Sequence, residues 1–232
     1  MSFFTTNKTA DATSEFEGAG GGSKYISTSG MFPVTVLAPF VNNGNDKATA
    51  IDLFVDYNEQ QQVIYGNMSY TNKDGGANKI GHEIFNKLVI LADVENVSDP
   101  VDMELPIGKK GADKTVAVLE DLMDVEAIMQ VRMEYSIWNN DIKEKTVIKS
   151  FFRASDNASV AEILANEEGK EVVFGTQFAT IAEGADYVDY KDGLDEEKVQ
   201  AWIKAKRPKQ TGTSGGATSA TATKKPSFGR KK

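Results

Sequence analysis

The sequence predicts a mainly β protein with one internal helix, from three observations. Segments that alternate apolar and polar side chains recur along the chain, and turn-forming residues separate neighbouring segments. Between them lies one segment whose apolar residues have helical spacing. The chain has 232 residues, of which 40% are hydrophobic and 26% charged, a composition typical of a globular protein with a sizeable core.

The first three strands come early in the chain. Residues 32–37 alternate and are followed by Pro39, which favours an edge strand or a bulge. Residues 50–57 place their aliphatic side chains on one face. The turn at residues 58–59 leads into residues 62–70, so the pattern predicts a hairpin.

A helix and a second hairpin follow. Ile80, Ile84, Leu88 and Leu91 predict an amphipathic helix over residues 79–92. The second hairpin pairs residues 127–137 with residues 143–153 around a turn at 138–141. Strand, strand, strand, helix, strand, strand is the order of an OB-fold, a five-stranded barrel with a capping helix between strands 3 and 4. The sequence therefore predicts this fold over residues 25–155.

The rest of the chain divides into three segments. These are a flexible N-terminal arm rich in Gly, Ser and Thr at residues 1–24, a C-terminal extension at residues 156–205, and a basic disordered tail at residues 206–232. Within the extension we expect a short helix at residues 158–165, a strand at 171–180, and a last helix with Asp195 as its N-cap.

The net charge of −8 combines two segments of opposite sign. The tail from residue 206 carries eight basic residues and no acid, which leaves −16 on the remaining 205 residues. An acidic stretch at residues 183–197 has seven carboxylates and one lysine. Such asymmetry is typical of a charged tail that contacts nucleic acid or the body of its own chain.

Composition also excludes several classes of protein. The chain has no cysteine, so disulfides, thiolate metal sites and cysteine nucleophiles are excluded. The chain has no run of 18 apolar residues, so no membrane span is predicted. Residues 1–10 do not have the pattern of a secretory signal. We therefore expect a cytoplasmic protein without a membrane partner or a cofactor.

The last predicted strand of the barrel indicates a binding surface. A period of two places four cations and one aromatic ring on one face, namely Lys143, Lys145, Lys149, Phe151 and Arg153. Cations that follow phosphates and rings that stack on bases are typical of a groove for single-stranded nucleic acid. The alternative is a solvated charged strand with Phe151 packed inward through a bulge.

Other candidates lie on neighbouring strands and in a loop. Aromatic residues near the expected binding face are Phe54, Tyr65, Tyr70, Tyr135 and Trp138, some of which belong to the core. Lys109 and Lys110 lie in a polar loop that forms a second basic cluster, for which ordinary solubility is the alternative explanation.

An enzyme has little support in the sequence. His82 is the single histidine, so a serine triad or a multi-histidine metal site is not indicated. Glu168 and Lys170 match a short piece of a metal-dependent nuclease motif, which leaves such a nuclease as one alternative. An acidic adaptor protein that binds replication proteins without touching DNA is the other.

The chain resembles the single-stranded DNA-binding proteins of bacteriophages over about residues 28–155. The resemblance lies in the overall pattern of residues 29–36, 52–57, 134–140 and 147–153. It implies an OB-fold that coats single strands during replication and recombination, with no catalysis. It also implies recruitment of polymerase, helicase or recombinase through the C-terminal tail.

The tail differs from that of the best-known members, in which it is acidic. Here the tail is basic and the acidic stretch precedes it, at residues 183–197. Two roles for the tail follow as alternatives: it adds affinity for DNA, or it pairs with the acidic stretch.

Overall fold

The computed structural model describes residues 25–43 and 48–206. The predicted arm at residues 1–24 and all of the predicted tail except Lys206 lie outside these ranges. The described part is mainly β, as the sequence predicts. None of its helices has the length and apolar character needed to cross a membrane.

Within the described ranges, eight strands form one sheet. Their bounds are β1 Gly30–Asn43, β2 Thr49–Tyr57, β3 Gln60–Thr71, β4 Val101–Leu105, β5 Lys114–Val118, β6 Val125–Trp138, β7 Asp141–Arg153 and β8 Asp189–Tyr190. The helices of the same part are α1 Lys79–Leu91, α2 Val160–Glu167, α3 Thr176–Ala182 and α4 Glu196–Lys206.

The two predicted hairpins are confirmed. β2 pairs with β3 and β6 pairs with β7, both antiparallel. Each turn has two central residues with positive φ, 50° and 62° at Asn58 and Glu59 and 50° and 58° at Asn139 and Asn140. Two left-handed residues define the type I′ turn, whose twist matches that of the flanking strands.

β1 joins the hairpins into one sheet. It pairs with β2 along one edge, and along its other edge first with β6 and then with β5. The strand order around β1 is therefore β3-β2-β1-β6-β7. β3 and β7 approach each other, but no hydrogen-bonded ladder joins them in the described residues. The sheet is open, and the predicted closed barrel is not confirmed.

Helix α1 lies where β3 and β7 fail to pair, and it packs on both strands. Asn78 caps it by accepting a hydrogen bond from the Gly81 N–H at 3.1 Å. Its buried Ile84, Phe85 and Leu88 join the inner faces of the five long strands in one cluster, which we call the main core. The predicted helix is thus confirmed, and it fills the side of the core that the open sheet leaves uncovered.

The hairpin of β4 and β5 is absent from the sequence prediction. It joins the sheet through the pairing of β5 with β1 and folds over the outer face of β2. There Leu105, Val116 and Val118 bury Phe54 in a second cluster. Each of its strands has only five residues, so the alternation was too short to separate them from a loop.

The C-terminal extension packs on the sheet through two further clusters. α3 places Phe178 and Ile181 near Phe152. This helix occupies part of residues 171–180, for which the sequence predicts a strand. That prediction is wrong, because contact with the sheet selects a helix in this segment. The last helix begins as predicted, since Asp195 accepts a hydrogen bond from the Lys198 N–H at 2.8 Å.

Candidate nucleic-acid interface

A β-bulge at Lys149 interrupts the last long strand. Val131 of β6 lies opposite Ile148, whereas the preceding Gln130 lies opposite Ser150. Lys149 is therefore an extra residue without a partner in the register, and the alternation of faces changes there.

The bulge corrects the predicted cationic face. Ile148 and Phe151 both belong to the main core although three positions separate them. Lys143 and Lys145 lie on the outer face before the bulge, opposite Ser136 and Glu134. Beyond it, Phe151 and Arg153 lie on the other face, so the five residues do not form one surface.

Three of the predicted stacking rings are buried. Phe151 has no exposed area, and Phe54 and Tyr135 are each 6% exposed. Phe54 is covered by the β4–β5 hairpin, and Tyr135 packs against Tyr190 and Trp202 from the extension. These rings hold the fold together and present no free face to a base.

The ring of Tyr70 is covered by His82, the single histidine of the chain. The two rings stack at 3.7 Å between centroids, and the His82 Nε2 lies 2.9 Å from the Tyr70 carbonyl oxygen. The pair fastens the start of α1 to β3.

Two of the predicted phosphate-binding cations are engaged in ion pairs. Lys149 lies 3.0 Å from Glu134. Arg153 donates two hydrogen bonds to Asp156, at 2.9 and 2.7 Å, and lies over the Phe174 ring at 4.9 Å. Both cations therefore serve local structure.

The end of the β6–β7 hairpin is the exposed part of the predicted site. Trp138 is 66% exposed and Ile137 is 44% exposed. Lys143 is exposed and lies 3.8 Å from Asp141, and Lys145 is exposed with no ion pair among the described residues. We call Ile137, Trp138, Lys143 and Lys145 the hairpin tip.

The extension supports this hairpin. The Ile137 N–H donates to Asp192 at 2.8 Å, and the Lys191 N–H donates to the Tyr135 carbonyl at 2.8 Å. Trp202 Nε1 donates to Asp141 at 3.2 Å. A two-stranded ribbon alone is marginally stable in water, so these contacts fix the tip.

An open groove of about 610 Å³ crosses the outer face of β3. It is lined by Tyr25, by Phe54 of β2, by residues 60–63 and Tyr65 of β3, and by residues 106–108 and Gly111 of the loop that follows β4. Tyr25 is 55% exposed and Tyr65 is 57% exposed. We call this the tyrosine groove.

Polar groups accompany the two rings in the tyrosine groove. Gln60, Gln61 and Gln62 line it. The Gln62 Oε1 accepts a hydrogen bond from the Ile26 N–H at 3.0 Å, while its buried Nε2 has no partner within the described part. Gln62 lies opposite Val55 of the main core, so its amide faces inward. The exposed amide of Gln61, beside the aromatic rings, suits the polar edges of nucleic acid bases.

The loop that walls the groove holds the second predicted basic cluster. It ends in a 3-10 turn at Lys109–Gly111, closed by a 2.7 Å hydrogen bond from the Gly108 N–H to the Ala112 carbonyl. Lys109 is exposed, and the Lys110 side chain lies outside the described part. The turn thus places at least one cation beside the groove.

The strand directions place the hairpin tip and one end of the groove beyond the same end of the sheet. β2 and β6 both run antiparallel to β1, so their turns at 58–59 and 139–140 lie beyond the end at which β1 begins. Tyr25 precedes β1 at that same end. The sequence drew attention to Tyr65 and Trp138, but the groove joins three distant segments and had no local signal.

The residues of the nuclease motif do not form a metal site in the described structure. Lys170 pairs with Glu168 at 2.6 Å, and both side chains are exposed. The described ranges contain no group of three or more His, Asp or Glu residues arranged to hold a metal ion.

Comparisons with protein-family models, with curated proteins and with solved structures found no match to this chain. The chemistry of the tyrosine groove and the hairpin tip is therefore the basis for the function proposed below.

Proposed function

We propose that this protein binds single-stranded DNA, with little sequence preference and without catalysis. The observation that carries the proposal is the tyrosine groove, in which two half-exposed rings and the exposed Gln61 lie beside a lysine-bearing turn. Unpaired bases expose their flat faces, and each base stacked on an aromatic ring contributes about 1–3 kcal/mol. A duplex hides those faces, so the groove suits single strands.

The connectivity supports a partly open OB-fold as the scaffold. In that fold the face of strands 2 and 3 and the loop between strands 4 and 5 bind oligonucleotides. Here β2 and β3 supply the corresponding face and the β6–β7 turn the corresponding loop. The β4–β5 hairpin covers part of the face and displaces the groove towards β3.

The acidic body requires local cations at the DNA contacts. Charges at physiological salt are screened over about 8 Å, so nearby lysines matter more than the mean charge. Lys109, Lys143 and Lys145 are exposed at the loop and the hairpin tip. We propose that they contact phosphates, and that a phage-type role in replication and recombination, alongside a polymerase, helicase or recombinase, depends on this contact.

A titration of fluorescent poly-dT with the full chain tests the proposal, in the presence and absence of Mg²⁺. We expect saturable binding to the strand, an affinity that falls steeply with salt, much weaker binding to a duplex, and an intact strand in Mg²⁺. A lack of binding at low salt would contradict the proposal and favour an adaptor. Mg²⁺-dependent cleavage lost in Glu168→Ala would favour the nuclease.

A matched pair of variants assigns the binding to the groove. Tyr65→Phe keeps the ring and Tyr65→Ala removes it, at a position that is 57% exposed and outside the clusters of the core. Binding that is retained by Tyr65→Phe and lost by Tyr65→Ala, with unchanged circular dichroism, identifies stacking on Tyr65 as the cause.

A further inference from the structure

Two arginines lie over aromatic rings in the described part of the chain, and their N–H groups are used differently. The Arg153 guanidinium lies 4.9 Å from the centroid of the Phe174 ring and donates two hydrogen bonds to Asp156. The Arg132 guanidinium lies 5.0 Å from the centroid of the Tyr187 ring. Within the described residues, Arg132 has neither a hydrogen bond nor an ion pair beside this stacking contact.

The unused N–H groups of Arg132 suit a phosphate. Arg132 is half-buried on the outer face of β6, two residues before Glu134. A donor that is removed from bulk water costs stability unless water or a ligand accepts its hydrogen bond. A planar guanidinium held against a ring presents a rigid fork of N–H groups, which matches two oxygens of a phosphate.

The position of the Tyr187 ring is set by the C-terminal extension. Tyr187 is 56% exposed, but the chain is anchored on both sides of it. Before it, Ala185 is buried in the cluster around Phe152. After it, β8 pairs in parallel with β6. The ring is therefore held over Arg132 while much of its surface remains accessible.

Arg132 lies at the end of the sheet where β1 begins, since its neighbour Val131 is opposite Gly30, the first residue of that strand. Tyr25 of the tyrosine groove precedes β1 at this end. Trp138 of the hairpin tip lies six residues further along β6, about 20 Å at the rise of a β-strand. Arg132 is thus placed between the two surfaces to which the proposed function assigns DNA.

The surroundings of Arg132 carry equal numbers of positive and negative charges. Residues 132–138 of β6, 145–149 of β7 and 186–192 of the extension contain four cations and four carboxylates. The cations are Arg132, Lys145, Lys149 and Lys191, and the carboxylates are Glu134, Asp186, Asp189 and Asp192.

Three of these carboxylates are engaged by other groups. Glu134 accepts hydrogen bonds from two lysine side chains, and Asp189 lies 3.9 Å from Lys191. Asp192 accepts a hydrogen bond from the Ile137 N–H at the hairpin tip. The region is therefore close to neutral within an acidic body, and its carboxylates do not occupy the Arg132 guanidinium.

We propose that Arg132, stacked on Tyr187, binds a phosphate group of the DNA strand between the tyrosine groove and the hairpin tip. This inference rests on the proposed function and adds a contact that joins its two surfaces. Tyr187 is a positioning residue, because its ring sets the plane of the guanidinium. The extension thereby takes part in DNA binding.

Two substitutions of Arg132 in the full chain test the phosphate contact by titration of fluorescent poly-dT. Arg132→Gln removes the charge and should weaken binding roughly tenfold at low salt. Its slope of log K against log salt should be smaller by about 0.7, the value for one phosphate contact on a single strand. Arg132→Lys keeps the charge but loses the planar fork, so it should keep the slope and lose part of the affinity.

Arg153→Gln is the matched control. It also removes a guanidinium that lies over a ring, but one whose N–H groups are bonded to Asp156. This variant should keep the affinity and the salt slope and should unfold at a lower urea concentration. An Arg132→Gln variant that behaves in the same way would assign Arg132 to the fold and overturn the inference.

A double-mutant cycle tests the part played by Tyr187. Tyr187→Phe keeps the ring and should keep the affinity, whereas Tyr187→Ala removes it and should weaken binding. In the Arg132→Gln background Tyr187→Ala should have little further effect, because both changes remove the same contact. Fully additive losses of affinity would contradict positioning by Tyr187.

The outcomes separate this inference from the proposed function. Wild-type affinity and salt slope in Arg132→Gln, with Tyr65→Ala still harmful, overturn the inference alone. A full chain that does not bind poly-dT overturns both.

Discussion

Lys149 and Glu134 form an ion pair of 3.0 Å across the paired strands β7 and β6. Lys191 bonds the other oxygen of the same carboxylate, which is only 14% exposed. Burial raises the pKa of Glu134, but the hydrogen bonds from Lys191 and Lys149 outweigh it and the pKa lies below its ordinary value. Lys149 thus neutralises the carboxylate of Glu134, whereas Lys145 on the same strand forms no ion pair with the described residues.

Substitution of these two lysines by Gln should therefore have different effects. Lys145→Gln should reduce the salt slope of poly-dT binding by about 0.7, the value for one phosphate contact on a single strand. Lys149→Gln should leave that slope unchanged and lower the free energy of unfolding by about 1 kcal/mol, since its charged hydrogen bond is partly solvent-screened. Anisotropy titrations and urea unfolding measure the two quantities. Equal effects of the two variants on the slope would contradict this assignment.

Removal of a ring from the tyrosine groove should weaken binding without unfolding the protein. Tyr65→Ala loses one stacking surface and should raise the Kd for poly-dT roughly 5- to 100-fold, corresponding to about 1–3 kcal/mol. The same titration serves as the measurement, with Tyr65→Phe as the control. Wild-type affinity in Tyr65→Ala would show that bases do not stack there.

The contact between α1 and β3 leaves no room for a side chain at Gly81. A Cβ at this position would lie 1.9 Å from the Ser69 carbonyl oxygen, which belongs to the backbone. Gly81→Ala should therefore lower the free energy of unfolding by about 1–3 kcal/mol, because α1 and β3 must move apart to admit the methyl group. Gly184→Ala is the control, since its Cβ would meet no atom within 4 Å. Equal urea midpoints for the two variants would disprove the close packing.

Glu162 joins α2 to the N-terminal end of α3, and this link should be lost in acid. Its carboxylate accepts backbone hydrogen bonds from Ser159, Gly175 and Gln177 at 2.8, 3.2 and 2.9 Å. Burial raises the pKa of Glu162, but these N–H groups outweigh it and the pKa lies below the ordinary value of 4.5.

The sign of the pH dependence follows from that lowered pKa. The contribution of Glu162 to stability is complete well above pH 4.5 and is lost as the pH falls through the lower pKa of the folded state. Glu162→Gln should cost about 1–3 kcal/mol at pH 7, because the amide replaces an acceptor by a donor. Unfolding measured between pH 7 and pH 3 should show a smaller acid loss in the variant. A parallel loss in both proteins would rule out this role.

Local patterns were sufficient for the hairpins, for α1 and for the Asp195 cap, because turn residues, helical spacing and capping act within a few residues. The bulge at Lys149, with Phe151 packed inward, was one of two alternatives that the sequence left open, because only the register of β7 with β6 decides between them. The burial of Phe54 depends on the β4–β5 hairpin, about 50 residues further along the chain. Among the described residues of the predicted site, the candidate contacts that remain are Tyr65, Trp138, Lys109, Lys143 and Lys145, because the tertiary fold buries or pairs the others.

Photo-crosslinking with a poly-dT strand that contains 5-iododeoxyuridine shows directly whether bases stack in the tyrosine groove. Irradiation joins the iodinated base to an aromatic side chain on which it stacks, and mass spectrometry of the digested complex identifies the residue. We expect crosslinks to Tyr65 or Tyr25, with Trp138 as a further site, and their loss in high salt. Efficient crosslinking confined to other residues, or none in a complex that binds DNA, would contradict the assignment of the tyrosine groove.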